Sequence, residues 1–259
     1  MGAKLGQHFL IDEGVRDAIV AAAELDAGEQ AVEIGPGKGI LTRAILESGA
    51  KLIAVEMDGS LALALARRFS CEPRLRVIHS NFLKLDSSEL GAQSVKFVAN
   101  LPYAVGTPIL QRILSRHLWT SAVLMFQKEV AERITAQPGG PDYGLLTLST
   151  LLYAEAELLM EAPKTCFSPR PRVDSAVLRL RRRQAPLIVP YKMDSFFRVA
   201  KAAFSQRRKM AVTPLASALN IPKERVAEAL RRCAISPSAR AQEIPLEAYL
   251  KLPSELGIQ

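Results

Sequence analysis

The sequence predicts an α/β protein with a Rossmann-like core, in which a mostly parallel sheet carries an antiparallel edge hairpin, followed by a small C-terminal all-α domain. Three observations support this prediction. Short apolar, β-rich runs alternate with Ala- and Leu-rich helical patterns up to about residue 140. Two later strand-like runs are joined by a Pro-rich loop instead of a helix. Beyond about residue 190 the chain shows only helical periodicity.

The strand-like runs of the core alternate with helical segments, which indicates crossover connections and a parallel sheet with helices on both faces. These predicted strands are 31–35, 51–58, 76–81, 95–102 and 121–127. A helix is predicted over 143–154, and 156–163 and 174–183 are the expected strands of the hairpin. We therefore expect a cofactor-binding domain over 1–183 and a helical domain over 184–259.

Positive charge is concentrated in the expected helical domain. The whole chain has a net charge of +8, yet residues 1–180 hold 19 Lys+Arg against 20 Asp+Glu, and residues 181–259 hold 15 against 6. A solvated face is one explanation. Because the charge coincides with a domain boundary, we favour a basic surface for a polyanion, and we expect Arg207, Arg208 and Lys209 to contact its phosphates.

Composition excludes several classes of protein. The chain has no apolar run of the roughly 18 residues that a membrane span requires, and its first residues lack the layout of a secretory signal, so a cytoplasmic location is expected. Cys71, Cys166 and Cys233 are odd in number and widely spaced. We expect reduced thiols and no metal site.

The stretch VEIGPGKGILT, residues 32–42, has the form of a strand that enters a Gly-rich turn and then a helix. Gly35 and Gly37 would allow a tight turn and a close approach of the backbone to a ligand. Glu56 ends the next predicted strand 21 positions after Gly35, where an acid can accept hydrogen bonds from both hydroxyls of a ribose. The turn and the acid together predict a nucleotide-like cofactor.

Two cofactor classes use this geometry. The dinucleotide pattern G-x-G-x-x-G is disfavoured because the third glycine comes one position early and because Glu33 would lie beside a phosphate. An acid at that position suits the cationic end of S-adenosylmethionine (SAM), which we therefore favour. Met57 follows Glu56, Asn81 ends the third strand where it can accept from an adenine amine, and Phe82 can cover the adenine or belong to the core.

The fourth strand runs directly into Asn100-Leu101-Pro102-Tyr103. The side-chain carbonyl of Asn100 and the backbone carbonyl of Leu101 could accept both hydrogens of an exocyclic adenine amine, so that its lone pair points at a methyl donor. Pro102 would stiffen the loop, and the Tyr103 ring could stack on a base that has been flipped out. A strand end with a buried Tyr is the alternative, which the preceding cofactor pattern disfavours.

Several blocks resemble the ribosomal RNA small-subunit adenine dimethyltransferase family (KsgA type). They are GQHFL (6–10), EIGPGKGILT (33–42), VEMD (55–58), NLPYAVGTPIL (100–110), FQKEVAERI (126–134), FSPRPRVDSAV (167–177) and AFSQRRKM (203–210). The resemblance implies a SAM-dependent enzyme that dimethylates two adjacent adenosines in a hairpin near the 3′ end of small-subunit RNA. It also implies a monomer that acts on a pre-ribosomal particle.

The resemblance carries over to individual positions. It implies that His8, Leu10, Gly35, Glu56, Asn81 and Asn100 contact the cofactor, and that Tyr103 and Phe167 sandwich the target base. The chain departs from the family at Asn81, where Asp is usual. An amide keeps the acceptor and loses the charge, so weaker cofactor binding is expected.

Three alternatives remain open at this point. A sister branch of similar fold methylates large-subunit RNA and confers antibiotic resistance, although the blocks after Asn100 resemble the small-subunit branch better. An assembly factor could use the basic domain for binding while catalysis stays secondary. A nicotinamide-dependent dehydrogenase is disfavoured by the early third glycine and by the lack of an obvious acid/base residue.

Overall fold

The secondary structure comes from a computed structural model of the 259-residue chain, which describes residues 8–91, 94–115 and 118–258. The strands are β1 (Phe9–Leu10), β2 (Gln30–Ile34), β3 (Lys51–Glu56), β4 (Leu75–His79), β5 (Val95–Asn100), β6 (Trp119–Gln127), β7 (Ala154–Ala162), β8 (Phe167–Ser168) and β9 (Ser175–Arg182). The helices are α1 (Glu13–Ala22), α2 (Ile40–Glu47), α3 (Gly59–Arg68), α4 (Gly106–Leu114), α5 (Lys128–Thr135), α6 (Leu145–Leu151), α7 (Met193–Phe204), α8 (Val212–Leu219), α9 (Lys223–Arg232) and α10 (Leu246–Leu256).

The main sheet has seven strands in the order β4-β3-β2-β5-β6-β9-β7. The pairs from β4 to β6 are parallel, whereas β9 runs antiparallel to β6 and has β7 beside it at the edge. The predicted α/β class, with a mostly parallel sheet extended by two late strands, is confirmed. The chain reaches β9 from β7 through a loop segment and not through a crossover helix, as is typical of strands added in antiparallel orientation.

The strand order reverses beside β2, because β3 lies on one side of it and β5 on the other. In open α/β sheets such a reversal opens a crevice at the carboxyl ends of the strands. Glu56 at the end of β3 and Asn100 at the end of β5 both lie at that edge. A small antiparallel pair, β1 with β8, is joined by the pairing of Leu10 with Phe167.

Backbone contacts divide the chain into two compact units. The first comprises Met1–Ala131 with Glu155–Arg182, and the second comprises Glu132–Ala154 with Arg183–Gln259. The sequence assigned 132–154 to the first domain, and in the structure this segment groups with the C-terminal helices. As functional domains, the boundaries at 183 and 184 stay a prediction.

The grouping of 132–154 has a packing reason. Tyr143, Leu148 and Leu152 are fully buried in one cluster with Phe196 and Tyr249 of the C-terminal helices. Burying such side chains stabilises by about 1.5–3 kcal/mol each. The sequence pattern identified this helix and could not show which core receives its apolar face.

In the first unit, α1 and α2 pack against alternate side chains of the sheet. Val15 and Ile19 of α1 share a buried cluster with Ile45 of α2 and with Val98 and Val123 of the strands. Alternation places these strand residues on one face of the sheet. This packing holds the turn before α2, and hence the candidate site, against a rigid sheet.

The second unit contains α7, in the part of the chain that shows only helical periodicity. Phe196, Ala200 and Ala203 are fully buried along α7, whereas Arg198 and Lys201 are exposed, as the 3.6-residue period predicts. The helix ends at Phe204, before Arg208.

No helix within the described ranges has the length and apolarity to cross a bilayer. The three cysteines are free thiols, with Cys166 and Cys233 buried and Cys71 exposed. Among the same residues, His, Cys, Asp and Glu form no cluster of three or more that could hold a metal ion.

Candidate active site

A cavity at the carboxyl edge of the first unit brings together most of the residues singled out in the sequence. Its lining combines the N-terminal segment, the Gly-rich turn, the acid of β3 and the tetrapeptide after β5. The lining residues are His8, Phe9, Leu10, Glu33, Gly35, Pro36, Gly37, Lys38, Ile40, Leu41, Glu56, Asn100, Leu101, Pro102 and Tyr103. Gly6 and Gln7 of the N-terminal block lie outside the described residues.

The Gly-rich turn requires glycine at Gly37 for two reasons. Its φ of +55° lies in the left-handed region, and a Cβ there would come within 3.0 Å of the Phe9 ring. Lys38 extends over the same ring, with Nζ 4.7 Å from its centroid. The sequence did not predict this contact of Phe9 and Lys38, because the two residues are far apart along the chain.

Glu56 is held in place by the backbone. Its Oε2 accepts from the Gly37 N–H at 3.0 Å and its Oε1 accepts from the Asp58 N–H at 2.9 Å, and the side chain is 6% exposed. A carboxylate has about four acceptor positions, so two remain for a ligand. This arrangement suits two neighbouring hydroxyl donors, as the sequence predicted for a ribose.

A second cavity of about 260 Å³ shares Gly35, Glu56 and Pro102 with the first. Its lining residues are Ile34, Gly35, Val55, Glu56, Met57, Asp58, Ser80, Asn81, Phe82, Leu83, Pro102, Ala104, Val105 and Ile109. The structure therefore brings Met57, Asn81 and Phe82 together in the lining of one cavity that also contains Glu56. The two cavities therefore adjoin each other at Gly35, Glu56 and Pro102.

Asn81 and Phe82 are held by local contacts. The Oδ1 of Asn81 already accepts from the Leu83 N–H at 2.9 Å, so only its second acceptor position is open to a ligand. Phe82 is 4% exposed and packs edge-on against Phe97, with ring centroids 5.9 Å apart. Phe82 thus lines the cavity while it also belongs to the core, and its role in covering an adenine stays a prediction.

Asn100 is oriented by the N-terminal segment. Its Nδ2 donates to the backbone carbonyl of His8 at 3.4 Å, which directs the Oδ1 on the other branch of the amide away from that segment. The Leu101 N–H donates to the Met125 carbonyl at 3.2 Å, and the Leu101 side chain is 2% exposed. No backbone N–H within the described ranges bonds to the Leu101 carbonyl. Two carbonyl acceptors are thus available at the end of β5.

Tyr103 is held by a residue that the sequence did not single out. Its hydroxyl and that of Ser175 are 2.7 Å apart, and burial raises the pKa of Tyr103, so the phenol stays neutral. The ring lies 5.7 Å from that of His8 with a tilt of 35°. Ser175 begins β9, which reaches this position only through the order of the strands.

Phe167, which the resemblance places against the target base, is buried in this structure. It lines neither cavity, is 3% exposed, and packs in the cluster that contains Leu10 and Val177. The antiparallel pairing of β1 with β8 turns its side chain into this core. In this packing Phe167 offers no ring to either cavity, and the sandwich of a base between Tyr103 and Phe167 stays a prediction.

The three cations predicted to bind RNA differ in their contacts. Arg207 donates through Nη2 to the carbonyls of Pro141 and Tyr143, at 2.5 Å and 2.9 Å, and it lies over the Phe204 ring. Arg208 and Lys209 are exposed, and their side chains form no hydrogen bond or ion pair with another described residue. Arg207 therefore connects two segments of the second unit, while its two neighbours are available to a polyanion.

Comparison with known proteins identifies the family of the chain. The family model described as "Ribosomal RNA adenine dimethylase" matches residues 2–256. A protein of Dehalococcoides mccartyi named "Ribosomal RNA small subunit methyltransferase A" is 39% identical over 251 residues, which are 96% of this chain and 86% of that protein.

Among solved structures, a dimethyladenosine transferase from Plasmodium falciparum aligns with a TM-score of 0.83 and 25% identity, covering 97% of this chain and 99% of that one. The 23S rRNA methyltransferase ErmE aligns with a TM-score of 0.77 and 27% identity, covering 96% and 99%. The fold is therefore shared with a 23S rRNA methyltransferase, whereas the relative with 39% identity is named for the small subunit.

Proposed function

The chain belongs to the ribosomal RNA adenine dimethylase family, and on this basis we propose how its residues carry out the reaction. It is an adenine dimethyltransferase of small-subunit ribosomal RNA. The observation that supports the proposal most directly is the shared cavity, because Glu56 and the Gly-rich turn line it together with Asn100 and Leu101. The substrate that we assign is a pair of adjacent adenosines in a hairpin near the 3′ end, within a pre-ribosomal particle, with a monomeric enzyme.

The residues that line the two cavities fit SAM. Glu56 would accept from the ribose hydroxyls, and the second cavity, with Met57, Asn81 and Phe82, would hold the adenine. Because Gly37 has no side chain, its backbone can lie close to the Phe9 ring and donate to Glu56 at the wall of the first cavity. SAM, when bound, supplies an electrophilic methyl group on a sulfonium.

Asn100 and Leu101 prepare the acceptor amine. The lone pair of an exocyclic adenine amine is delocalised into the ring, so the amine is a poor nucleophile until it becomes pyramidal. The Oδ1 of Asn100 and the carbonyl of Leu101 would accept its two hydrogens and favour that shape. No strong base is required before attack, and water can take the proton afterwards. Tyr103 would stack on the flipped base and is kept neutral by burial.

The second unit would dock the RNA. Arg208 and Lys209 are exposed and unpaired within the described residues, in the part of the chain that carries the excess positive charge. Contacts of such side chains with phosphates release counterions and give affinity without sequence information. The choice of adenosine would then depend on the cavity of the first unit and on the geometry of the docked particle.

The test is transfer of labelled methyl from SAM to small ribosomal subunits from a strain that lacks the modification, with nucleoside analysis and mapping of the product. Dimethyladenosine at two adjacent positions is the expected result. Transfer to large-subunit RNA alone would assign the protein to the branch that includes ErmE. Tight subunit binding without transfer to either RNA would favour an assembly factor that acts by binding.

A further inference from the structure

Glu33 is a buried carboxyl group on the wall of the first cavity, and the proposed transfer reaction does not use it. It lies on β2, is 1% exposed, and its register neighbours are Ala54 on β3 and Val98 on β5. Burial of an ionised carboxylate is costly unless a cation or several donors compensate for the lost water.

The partners of Glu33 compensate only in part. The Thr42 hydroxyl of α2 donates to Oε2 at 2.5 Å, and no basic side chain among the described residues forms an ion pair with Glu33. The titratable groups that line the same cavity are Glu56 on β3, Lys38 in the turn, His8 before β1 and Tyr103 after β5. Neither α2 nor β5 contributes a titratable group to the cavity lining.

These surroundings favour the neutral form. Burial raises the pKa of Glu33 to about 8, the Thr42 hydrogen bond opposes this rise, and the nearby Glu56 adds to it. At neutral pH the Glu33 carboxyl is therefore mostly protonated. A positive charge that enters the cavity can therefore displace the proton of the Glu33 carboxyl.

The position of Glu33 relates it to the reacting end of the cofactor. Asn100 and Leu101 hold the target amine in the proposed mechanism, and both line the cavity together with Glu33. A methyl group that reaches this amine must lie in the same cavity. SAM carries a sulfonium there, whereas the product S-adenosylhomocysteine (SAH) has a neutral thioether. The reaction thus removes one positive charge from the surroundings of Glu33.

We propose that Glu33 distinguishes SAM from SAH through its charge: it loses its proton when the cationic cofactor binds and takes a proton back when the neutral product forms. This inference rests on the proposed function. Ionised Glu33 attracts the sulfonium and has no comparable partner in SAH. Proton uptake after transfer removes that attraction and favours product release.

The linkage has a defined pH dependence. At pH 7, SAM must displace a proton that a group with a pKa of about 8 holds, and at pH 9 the group is already ionised. The affinity for SAM should therefore rise about tenfold from pH 7 to pH 9, relative to the same change for SAH. With Glu33→Gln this difference between the two ligands should disappear.

The experiment counts protons by calorimetry. SAM and SAH are titrated into the full-length protein at pH 7.0, in two buffers of different ionisation enthalpy. We expect SAM to release up to about 0.9 proton more with the native protein than with Glu33→Gln, and we expect a much smaller difference for SAH. Glu47→Gln is the matched control, because it removes a carboxylate from the exposed side of α2. The amino group of SAM titrates alike in all variants and cancels in the comparison.

A second variant retains Glu33. Thr42→Val removes the hydroxyl that favours the charged form, so proton release at pH 8.0 should increase from about one half toward one. The inference would be overturned if SAM and SAH released equal numbers of protons, or if Glu33→Gln released as many protons as the native protein. In either case, binding of SAM would still support the proposed function. If SAM did not bind at all, both would be overturned.

Discussion

At the scale of single residues, Asn100 combines two roles that depend on the two branches of its amide. The Nδ2 donates to the His8 carbonyl, and the Oδ1 is left as an acceptor at the cavity. The N-terminal segment therefore orients the group that would hold the amine in the proposed mechanism. A donor that keeps an acceptor in position lowers the cost of binding the transition state, because less reorganisation is needed.

Replacement of Asn100 tests this role. Asn100→Ala should lower the rate of methyl transfer about 100- to 1000-fold, while binding to small subunits stays within about twofold. Single-turnover transfer and subunit binding are measured on the same preparation. Asn100→Asp, which keeps an acceptor oxygen and loses the donor to His8, should be intermediate. Transfer by Asn100→Ala at the native rate would refute the assigned role.

At Asn81 we expect a substitution to improve the protein, because a carboxylate there should strengthen the binding of SAM. Its Oδ1 accepts from the Leu83 N–H, and a carboxylate would preserve this bond while adding charge and acceptor capacity. Asn81→Asp should therefore bind SAM about 3- to 10-fold more tightly at pH 7. Calorimetric titration with SAM is the measurement, and Asn81→Ala, which has no acceptor, should bind more weakly than the native protein. Unchanged affinity with Asp would show that Asn81 does not contact the adenine.

Phe167 offers a test between a core role and a catalytic one. Its side chain is 3% exposed within an apolar cluster, so Phe167→Ala should lower the free energy of unfolding by about 3–5 kcal/mol. Phe167→Leu should cost much less, and it should retain most of the activity if the residue is structural. Denaturant unfolding and transfer rates decide the case. A stable Phe167→Leu with little activity would instead support stacking on the base.

At the scale of elements, the Gly-rich turn places α2 against the sheet. Gly39 is the N-cap of α2 with φ of +78°, and a Cβ there would come within 2.7 Å of Leu65 Cδ1 on α3. Position 39 must therefore satisfy two independent conditions: its backbone is left-handed, and α3 lies close to it. Glycine satisfies both conditions. Only the left-handed backbone is a local property of the chain, because the approach of α3 depends on tertiary packing.

Comparison of Gly28 with Gly39 separates the cost of the backbone conformation from the cost of the contact with α3. Gly28 has nearly the same φ, +81°, and a Cβ added there would meet no other atom within 4 Å. Gly28→Ala should cost about 1 kcal/mol for the backbone conformation, and Gly39→Ala about 1 kcal/mol more for contact with Leu65. Chemical denaturation of both variants provides the comparison. Equal losses would mean that Leu65 moves aside without cost.

At the scale of the whole molecule, charge and cofactor features lie in different parts of the chain. The balance is −1 over residues 1–180 and +9 over residues 181–259. A protein that must bind a polyanion and also hold a cationic cofactor benefits from this separation, because positive charge at the cavity would oppose the sulfonium.

The exposed cations of the second unit give a prediction about salt. Arg208→Ala with Lys209→Ala should weaken binding to small subunits and reduce the slope of log affinity against log salt by about 1.5–2. Lys51→Ala with Arg67→Ala removes the same charge from exposed positions of the first unit and should leave the slope nearly unchanged. Arg207→Ala should mainly destabilise, because its guanidinium bonds to two backbone carbonyls. An unchanged slope for the first pair would exclude phosphate contacts there.

Local patterns in the sequence were sufficient to predict the α/β class, the strands of the parallel sheet and the grouping of Gly35, Glu56 and Asn100. They were sufficient because residue period, turn chemistry and the position of a residue at a strand end are properties of short segments. The resemblance of several such segments to one family determined the activity.

The distant residues that complete the site became known only from the tertiary structure. The Asn100 bond to His8 spans 92 positions, and the Tyr103 contact with Ser175 spans 72. The burial of Phe167, the backbone contacts of Arg207 and the grouping of 132–154 with the helical unit likewise depend on strand order and on packing. Such contacts form only when separate segments bury their apolar faces together, and no local pattern records which segments will meet.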